Sequence, residues 1–145
     1  MQGKYNVGYT TGVFDLFHIG HLNILQRAKE QCQYLIVGVS TDELTCEYKK
    51  RPPVIPYNER IRIVEAIRYV DKVVAQTTLD KLAAWERLKF NALFHGNDWQ
   101  NTNLYNKYEQ QFSALGVDMI FLPYTTGTSS TMLNNFLAST TYCNV

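Results

Sequence analysis

The chain has 145 residues, of which 46% are hydrophobic and 19% are charged, as in ordinary soluble domains. A chain of this length can bury a core of its own, so we predict one domain over residues 1–145, and no stretch approaches the roughly 20 apolar residues that span a bilayer. Fourteen basic and thirteen acidic side chains give a net charge of +1, which gives no reason to expect a nucleic-acid or membrane partner.

The first half of the chain alternates apolar runs with helical patterns. Residues 5–10 predict a strand and residues 20–31 a helix, which together begin a βαβ unit. The nearly continuous apolar run over residues 34–40 is typical of a parallel strand covered on both faces, and we expect it to lie centrally in the sheet. A charged loop with three prolines follows, and then residues 58–69 predict a helix.

The second half continues this alternation. Its predicted elements are strand 70–75, an amphipathic segment over 79–88, strand 92–95, helix 104–115, strand 118–122 and a final helix that contains residues 132–137. This order predicts an α/β fold, a doubly wound, Rossmann-like parallel sheet with helices on both faces. Such folds bind ligands outside the carboxyl ends of the strands, where the strand order reverses.

The N-terminus and the cysteines indicate the compartment. The first residues lack the basic, apolar and small-residue zones of a signal peptide. Cys32, Cys46 and Cys143 are odd in number and far apart, which suits neither a disulfide framework nor a zinc site. We therefore expect a cytoplasmic protein with reduced thiols.

Residues 10–21 lie between the first strand and the first helix, where a phosphate-binding turn belongs. Gly12 permits a positive φ or a close approach to a ligand, and Gly20 lets the helix entry come near a bound phosphate. The amide groups and the positive dipole end of the helix start would complete an anion site.

His18 and His21 are the candidate catalytic pair. If the helix begins near Ile19, both imidazoles project from one side of its first turn and point at one phosphate. As donors they would stabilise a pentacoordinate phosphorus transition state, and a nearby phosphate should keep at least one protonated. The alternatives are a helix cap with a surface histidine, or a metal pair, for which we find no third ligand.

The pattern G-x-F-D-x-x-H-x-G-H resembles the signature of the nucleotidylyltransferase superfamily. Five further segments follow in order within residues 5–137, namely STDELT at 40–45, NER at 58–60, RYVD at 68–71, GNDW at 96–99 and TTGTSST at 125–131. Together they resemble the cytidylyltransferase family. The short length is similar to the glycerol-3-phosphate enzymes rather than to the longer choline-phosphate enzymes.

The resemblance implies transfer of CMP from CTP, bound with Mg²⁺, to a phosphorylated alcohol. The implied acceptor is sn-glycerol 3-phosphate, with CDP-glycerol and pyrophosphate as products of direct in-line attack. A homodimer and a role in cell-wall or capsule biosynthesis are implied as well. The alternatives are another acceptor such as ethanolamine phosphate, an adenylyl donor, or a noncatalytic nucleotide-binding module.

The resemblance also implies roles for individual residues. The implied catalytic residues are His18, His21, Lys49 and Arg60, with Lys50 as an alternative to Lys49. The implied acceptor-binding residues are Lys49, Arg60 and Asp98. The implied nucleotide-binding residues are Thr10, Thr11, Gly12, Phe14, Asp15, His18, Gly20, His21, Asp98, Tyr124, Thr125, Gly127, Thr128, Ser129 and Ser130.

Several of these positions have a second interpretation. Arg60 could be a helix-surface arginine instead of a bidentate phosphate ligand. Ser129 and Ser130 precede the last helix, where they could cradle phosphate or simply cap the helix. The resemblance implies that Asp15 helps to hold its loop and contacts the metal–phosphate unit. Tyr124 stands where the family usually places an arginine, so the family's contact to the nucleotide does not carry over unchanged.

Overall fold

Strands and helices alternate along the chain, as the sequence predicts. The computed structural model describes residues 3–96 and 102–139. Its elements are β1 (Tyr5–Gly12), α1 (Ile19–Glu30), β2 (Cys32–Ser40), α2 (Asp42–Lys49), α3 (Tyr57–Glu65), β3 (Lys72–Gln76), α4 (Lys81–Leu88), β4 (Ala92–Gly96), α5 (Asn103–Ala114), β5 (Asp118–Leu122) and α6 (Ser130–Ser139). None of the helices in these two ranges is long and apolar enough to cross a membrane.

The five strands form one parallel sheet with the order β3-β2-β1-β4-β5. The chain builds outward from β1 to β3 and then returns to the other side of β1, so the strand order reverses between β1 and β4. The central strand is therefore β1, and the prediction that residues 34–40 lie at the centre is wrong by one strand. A continuous apolar run marks any interior strand of a parallel sheet, and β2 is interior because β1 and β3 flank it.

Helices cover both faces of the sheet, as predicted. On one face, α1 and α3 bury Leu25, Ala28 and Val64 against β2. On the other face, α4 and α5 bury Ala84 and Phe112. Because successive strand side chains alternate between faces, each strand contributes to both clusters. The protein is thus an α/β domain with a doubly wound sheet.

Two helices differ from the sequence-based expectation. The segment after β2, expected to be a loop, begins with the eight-residue helix α2. The Thr41 hydroxyl caps α2 by accepting from the Leu44 amide at 3.2 Å, and Lys50 ends it in the left-handed region at φ 63°. Helix α3 ends at Glu65 instead of residue 69. Together α2 and the loop that follows it border the carboxyl end of the sheet.

Candidate active site

The turn after β1 has an unusual backbone. Phe14 and Leu16 adopt positive φ values of 55° and 51°, which side-chain-bearing residues rarely do. Phe14 is buried in the core, and its ring lies edge-on to the His21 ring at 5.4 Å. The Phe14 ring therefore supports His21, and nucleotide binding at Phe14 stays a prediction. A Cβ at Gly12 would lie 3.0 Å from the Phe14 ring, so a side chain there would crowd Phe14. The close approach of a ligand to Gly12 stays a prediction.

His18 and His21 lie together at the start of α1. His18 is the N-cap, and its Nδ1 accepts from the Gly20 amide at 3.0 Å. The Nδ1 of His21 accepts from the His18 amide at 3.3 Å, and the two rings stack with centroids 4.0 Å apart. A neutral imidazole that accepts through Nδ1 carries its proton on Nε2. Both rings therefore keep an Nε2–H donor after capping the helix, so capping and phosphate binding are compatible.

Burial keeps this pair neutral in the ligand-free protein. It lowers the pKa of His21 to about 3, with smaller contributions from His18 and Lys49. Burial also lowers the pKa of His18. The expectation that a phosphate protonates one of them concerns the bound state and stays a prediction. Gly20 leaves room for the pair, since a Cβ there would lie 2.7 Å from His18 Cε1.

The loop before α6 packs against α1, so two helix N-termini meet at the histidines. The Asn23 amide donates to Thr125 Oγ1 at 2.9 Å, and Ser130 Oγ donates to the Asp15 carbonyl at 2.5 Å. A Cβ at Gly20 would lie 3.6 Å from the Thr128 carbonyl. The N-termini of α1 and α6 thus lie close together, and paired helix N-termini favour an anion.

The hydroxyls of this loop are used within the protein. Ser129 Oγ accepts from the Met132 amide at 3.0 Å, so Ser129 caps the helix, and the Ser130 hydroxyl holds the Asp15 carbonyl. The phosphate donors that this geometry offers are therefore the backbone amides rather than these hydroxyls. Gly127 adopts φ 111°, a conformation that favours glycine, and Tyr124 is exposed beside the loop.

The structure distinguishes between the two candidate lysines. Lys49 lines a small cleft with Asp15 and Ser130, and its charge contributes to the lowered pKa of His21. Lys50 Nζ instead donates to the Glu47 carbonyl on the exposed side of α2. Lys49 is thus the lysine near the histidines. Arg51 lines the same cleft.

The structure places Arg60 differently from both interpretations of the sequence. The side chain is fully buried, so it is not a surface arginine. Its Nε donates to Ile55 O at 2.8 Å, its Nη1 to Val13 O and Ser40 O at 2.6 and 2.8 Å, and its Nη2 to Asp42 Oδ1 at 2.7 Å. The assignment of Arg60 as a catalytic and acceptor-binding residue is therefore corrected, because its donor fork binds the protein itself. Arg60 is a positioning residue that ties the turn after β1 to β2, α2 and the loop before α3.

Asp15 holds the loop before α3, and its expected contact with the metal–phosphate unit stays a prediction. Its buried carboxylate accepts from the Val54 amide at 2.7 Å and from the Ile55 amide at 2.9 Å. Asp15 and Arg60 thus fix the same loop from two sides. Among residues 3–96 and 102–139, no three His, Cys, Asp or Glu side chains are grouped closely enough to hold a metal ion.

The end of β1 carries two predicted threonines with different roles. Thr10 is buried and its hydroxyl donates to the Phe94 carbonyl at 3.1 Å, which contradicts nucleotide binding by that side chain. Thr11 Oγ1 accepts from Lys81 Nζ at 2.7 Å. Burial lowers the pKa of Lys81 to about 8. The sequence reading missed Lys81 because a lysine at the start of an amphipathic helix normally indicates the solvent-facing side.

His95 at the end of β4 was also missed. Burial and then the charge of Lys81 lower its pKa to about 3, and its Nε2 lies 2.9 Å from the Tyr105 hydroxyl. Asp98, predicted to bind nucleotide and acceptor, lies outside the described residues, as does Trp99.

Comparison with known sequences identifies the family of the chain. A family model described as cytidylyltransferase-like matches residues 9–135. The glycerol-3-phosphate cytidylyltransferase of Bacillus subtilis is 34% identical over 136 residues, which cover 89% of this chain and 95% of that protein. An FAD synthase of Pyrococcus horikoshii is 38% identical over 117 residues, with 78% of this chain and 77% of that protein covered.

Two further comparisons concern a larger relative and a solved structure. The ethanolamine-phosphate cytidylyltransferase of Mus musculus is 42% identical over 91 residues, which cover 60% of this chain and 22% of that protein. The crystal structure of a lipopolysaccharide core biosynthesis protein from Thermoplasma volcanium has a TM-score of 0.69 at 22% identity, covering 86% of this chain and 99% of that chain. At that identity it supports the fold alone. With the family model over most of its length and its histidine pair at the start of α1, the chain belongs to the cytidylyltransferase-like family and is a nucleotidyltransferase.

Proposed function

We propose that the protein transfers CMP from CTP to sn-glycerol 3-phosphate, producing CDP-glycerol and pyrophosphate. The observation that carries this proposal is the pair of Nε2–H donors of His18 and His21 beside the amides of two helix N-termini. Lys49 lies near the pair. These groups match a triphosphate, which has several negative charges along one short chain.

The reaction is a direct in-line displacement. An oxygen of the acceptor phosphate attacks the α-phosphorus of CTP, the bond from that phosphorus to the bridging oxygen breaks, and pyrophosphate leaves with the electron pair. The acceptor phosphate is ionised at neutral pH, so positioning and electrostatic stabilisation dominate over general-base help. The Nε2–H groups donate to the α-phosphate oxygens, whose negative charge increases in the transition state.

Mg²⁺ is proposed to enter with CTP as part of the substrate. Both oxygens of the Asp15 carboxylate already accept backbone amides, and the described residues offer no cluster of three ligands. A phosphate-bound Mg²⁺ neutralises the triphosphate without an all-protein site.

The acceptor is proposed from the relatives and from how much of each relative is matched. The B. subtilis enzyme, named for glycerol 3-phosphate, matches along nearly its whole length, whereas the ethanolamine-phosphate enzyme is matched over less than a quarter of its length. Ethanolamine phosphate is the second acceptor candidate. The FAD synthase relative makes an adenylyl donor the second nucleotide candidate.

Pyrophosphate release with CTP or ATP, against glycerol 3-phosphate and ethanolamine phosphate, tests the assignment. We expect the highest kcat/KM for CTP with glycerol 3-phosphate. A higher value with ATP would reject the donor, and a higher value with ethanolamine phosphate would reject the acceptor. Nucleotide binding without pyrophosphate release in any combination would favour the noncatalytic module.

We further propose that the protein works as a homodimer in the cytoplasm, supplying activated glycerol for a cell-wall or capsule polymer. These points rest on the family alone. Sedimentation at micromolar concentration tests the dimer, and a single monomeric species would contradict it.

A further inference from the structure

Gln76 is a buried polar residue with a donor group that has no acceptor in the described part of the chain. Its side chain lies at the end of β3 and is 5% exposed, and its Oε1 accepts from Ser40 Oγ at 2.8 Å. No residue within 3–96 or 102–139 accepts a hydrogen bond from Gln76 Nε2. Buried side-chain amides normally have partners for both groups, because burying an unpaired polar group is costly.

The Nε2 group of Gln76 borders space that a ligand can reach. In the described ranges, every fully enclosed side-chain nitrogen or oxygen atom has a hydrogen-bond partner. Since Gln76 Nε2 has none there, this atom is not fully enclosed. The two N–H donors of an otherwise buried carboxamide therefore border an opening at the carboxyl end of β3.

Neighbouring residues fix which end of this amide borders the opening. The Gln76 carbonyl accepts from the Thr41 amide at 3.1 Å, which holds the backbone. Tyr48 on α2 contacts the Ser40 side chain, and this contact partly offsets the rise that burial causes in the Tyr48 pKa. A Ser40 hydroxyl that accepts from Tyr48 gives its single proton to Gln76 Oε1. The Nε2 group is thus oriented before a ligand binds.

Gln76 lies on the face of the sheet opposite the histidines, at the end where substrates bind. It shares a face with Val74, two residues earlier, which packs in the same cluster as Ala84 of α4. Helix α1, which carries the histidine pair, packs in the cluster on the other face. Only β2 separates β3 from β1, so about 10 Å of sheet lies between Gln76 and the end of β1. Doubly wound folds bind ligands outside these carboxyl ends.

The proposed in-line reaction places the acceptor on this side. The N-termini of α1 and α6 and the side chain of Lys49 lie near the histidines, so they bind the leaving pyrophosphate. The attacking oxygen enters opposite the leaving group. The end of the acceptor remote from its phosphate therefore extends over the face that α4 covers, where Gln76 lies.

We propose that Gln76 binds the acceptor by donating a hydrogen bond from Nε2 to an uncharged hydroxyl oxygen, and that this donor disfavours acceptors that end in an ammonium group. The inference rests on the proposed function and specifies its acceptor class. A hydroxyl oxygen accepts from an amide N–H, whereas an ammonium group has donors and no acceptor. An ammonium group facing Nε2 would leave donors on both sides unpaired.

The test changes the donor while keeping the shape of the side chain. Gln76→Met removes both polar atoms, and Gln76→Glu replaces the Nε2 group with an oxygen. Ser40→Ala keeps Gln76 and removes the hydroxyl that orients it. Gln33→Glu is the matched control, because Gln33 is an exposed glutamine near the amino end of β2, at the opposite end of the sheet.

The readouts are kcat and KM for glycerol 3-phosphate and ethanolamine phosphate at saturating CTP, KM for CTP, and circular dichroism to show folding. We expect Gln76→Met to raise KM for glycerol 3-phosphate by about 3- to 10-fold, the usual loss of one hydrogen bond between uncharged groups, with KM for CTP within about twofold of wild type.

Gln76→Glu should change the acceptor preference. At pH 8 its carboxylate should lower KM for ethanolamine phosphate by about tenfold or more, because it accepts from the ammonium group. Ser40→Ala should raise KM for glycerol 3-phosphate by less than Gln76→Met does, and Gln33→Glu should leave KM for both acceptors unchanged.

The failures of the two proposals are distinguishable. Folded Gln76→Met and Gln76→Glu variants with wild-type KM for both acceptors would overturn the role of Gln76 and leave cytidylyl transfer standing. If neither variant folds, an unchanged KM for glycerol 3-phosphate in Ser40→Ala overturns that role in the same way. Equal rises in KM for CTP and for the acceptor would show a general distortion and overturn it too. Wild-type protein that releases no pyrophosphate with any acceptor would overturn the proposed function and this inference together.

Discussion

The side chains of His18 and His21 each have a structural role and a chemical role. Their Nδ1 atoms accept the amides that open α1, which fixes the ring orientation and the tautomer. The Nε2–H donors are then set before a ligand binds. Such preorganised donors need no reorientation as charge develops on the α-phosphate, and this is the main source of electrostatic stabilisation in transfer reactions.

Replacement of Arg60 tests its role as a positioning residue. Arg60→Ala would leave three carbonyls and Asp42 without their donor, so we expect a loss of about 3–5 kcal/mol in the free energy of unfolding, because a buried hydrogen-bond network loses its central member. Arg62→Ala is the control on the same helix, because Arg62 is exposed and should change stability by less than about 0.5 kcal/mol. Urea unfolding measures both. A loss of activity with unchanged stability in Arg60→Ala would indicate a ligand contact instead.

The neutral histidines make stability depend on pH. The pKa of His95 is lowered to about 3 by burial and by Lys81, against about 6.5 in the unfolded chain. The unfolded state therefore binds more protons between these values. Stability from neutral His95 is complete above about pH 6.5 and is lost as the pH falls toward 3.

At pH 5 this contribution amounts to about 2 kcal/mol for His95. We expect urea unfolding to show lower stability at pH 5 than at pH 7.5, with a smaller difference in His95→Gln. An equal difference in wild type and His95→Gln would show that His95 does not titrate in this way.

At the scale of elements, the sequence predicted the sheet and its helices but not α2. Residues 42–49 have only Leu44 and Thr45 buried, so the helical pattern is weak, and nearby prolines indicated a loop. The sequence signal for the start of α2 is the cap residue Thr41, followed by Asp42 and Glu43 in the first turn. Since α2 carries Lys49 at its end, the position of that lysine required the structure.

Removal of the α2 cap tests how far this helix positions the lysine. Thr41→Ala should lower the free energy of unfolding by about 1 kcal/mol, the usual effect of losing an N-cap hydroxyl. Because fraying of α2 displaces Lys49, kcat/KM should also fall. Thr77→Ala, at an exposed threonine after β3, is the control for both measurements. A fall in stability without any change in kcat/KM would show that α2 does not position Lys49.

At the scale of the whole molecule, groups from both faces of the sheet meet where the strand order reverses. The histidines and two helix N-termini lie on one face, and Lys81 with His95 lies on the other. The sequence motif identified the histidines because the motif is one continuous segment of the chain. Lys81 and His95 lie on separate elements, and in the sequence they look like ordinary surface residues. Only the fold brings them together. Arg60 was misassigned because its place in a family motif does not reveal that the protein's own carbonyls and Asp42 accept from its guanidinium.

The central claim is that the His18 and His21 donors stabilise transfer at the α-phosphorus of CTP. The most direct measurement is the rate of pyrophosphate release with CTP and glycerol 3-phosphate in His18→Ala and His21→Ala, with folding followed by circular dichroism. Loss of one preorganised donor should lower kcat by about 10²- to 10³-fold in protein that remains folded. Near wild-type kcat in both folded variants would contradict the account.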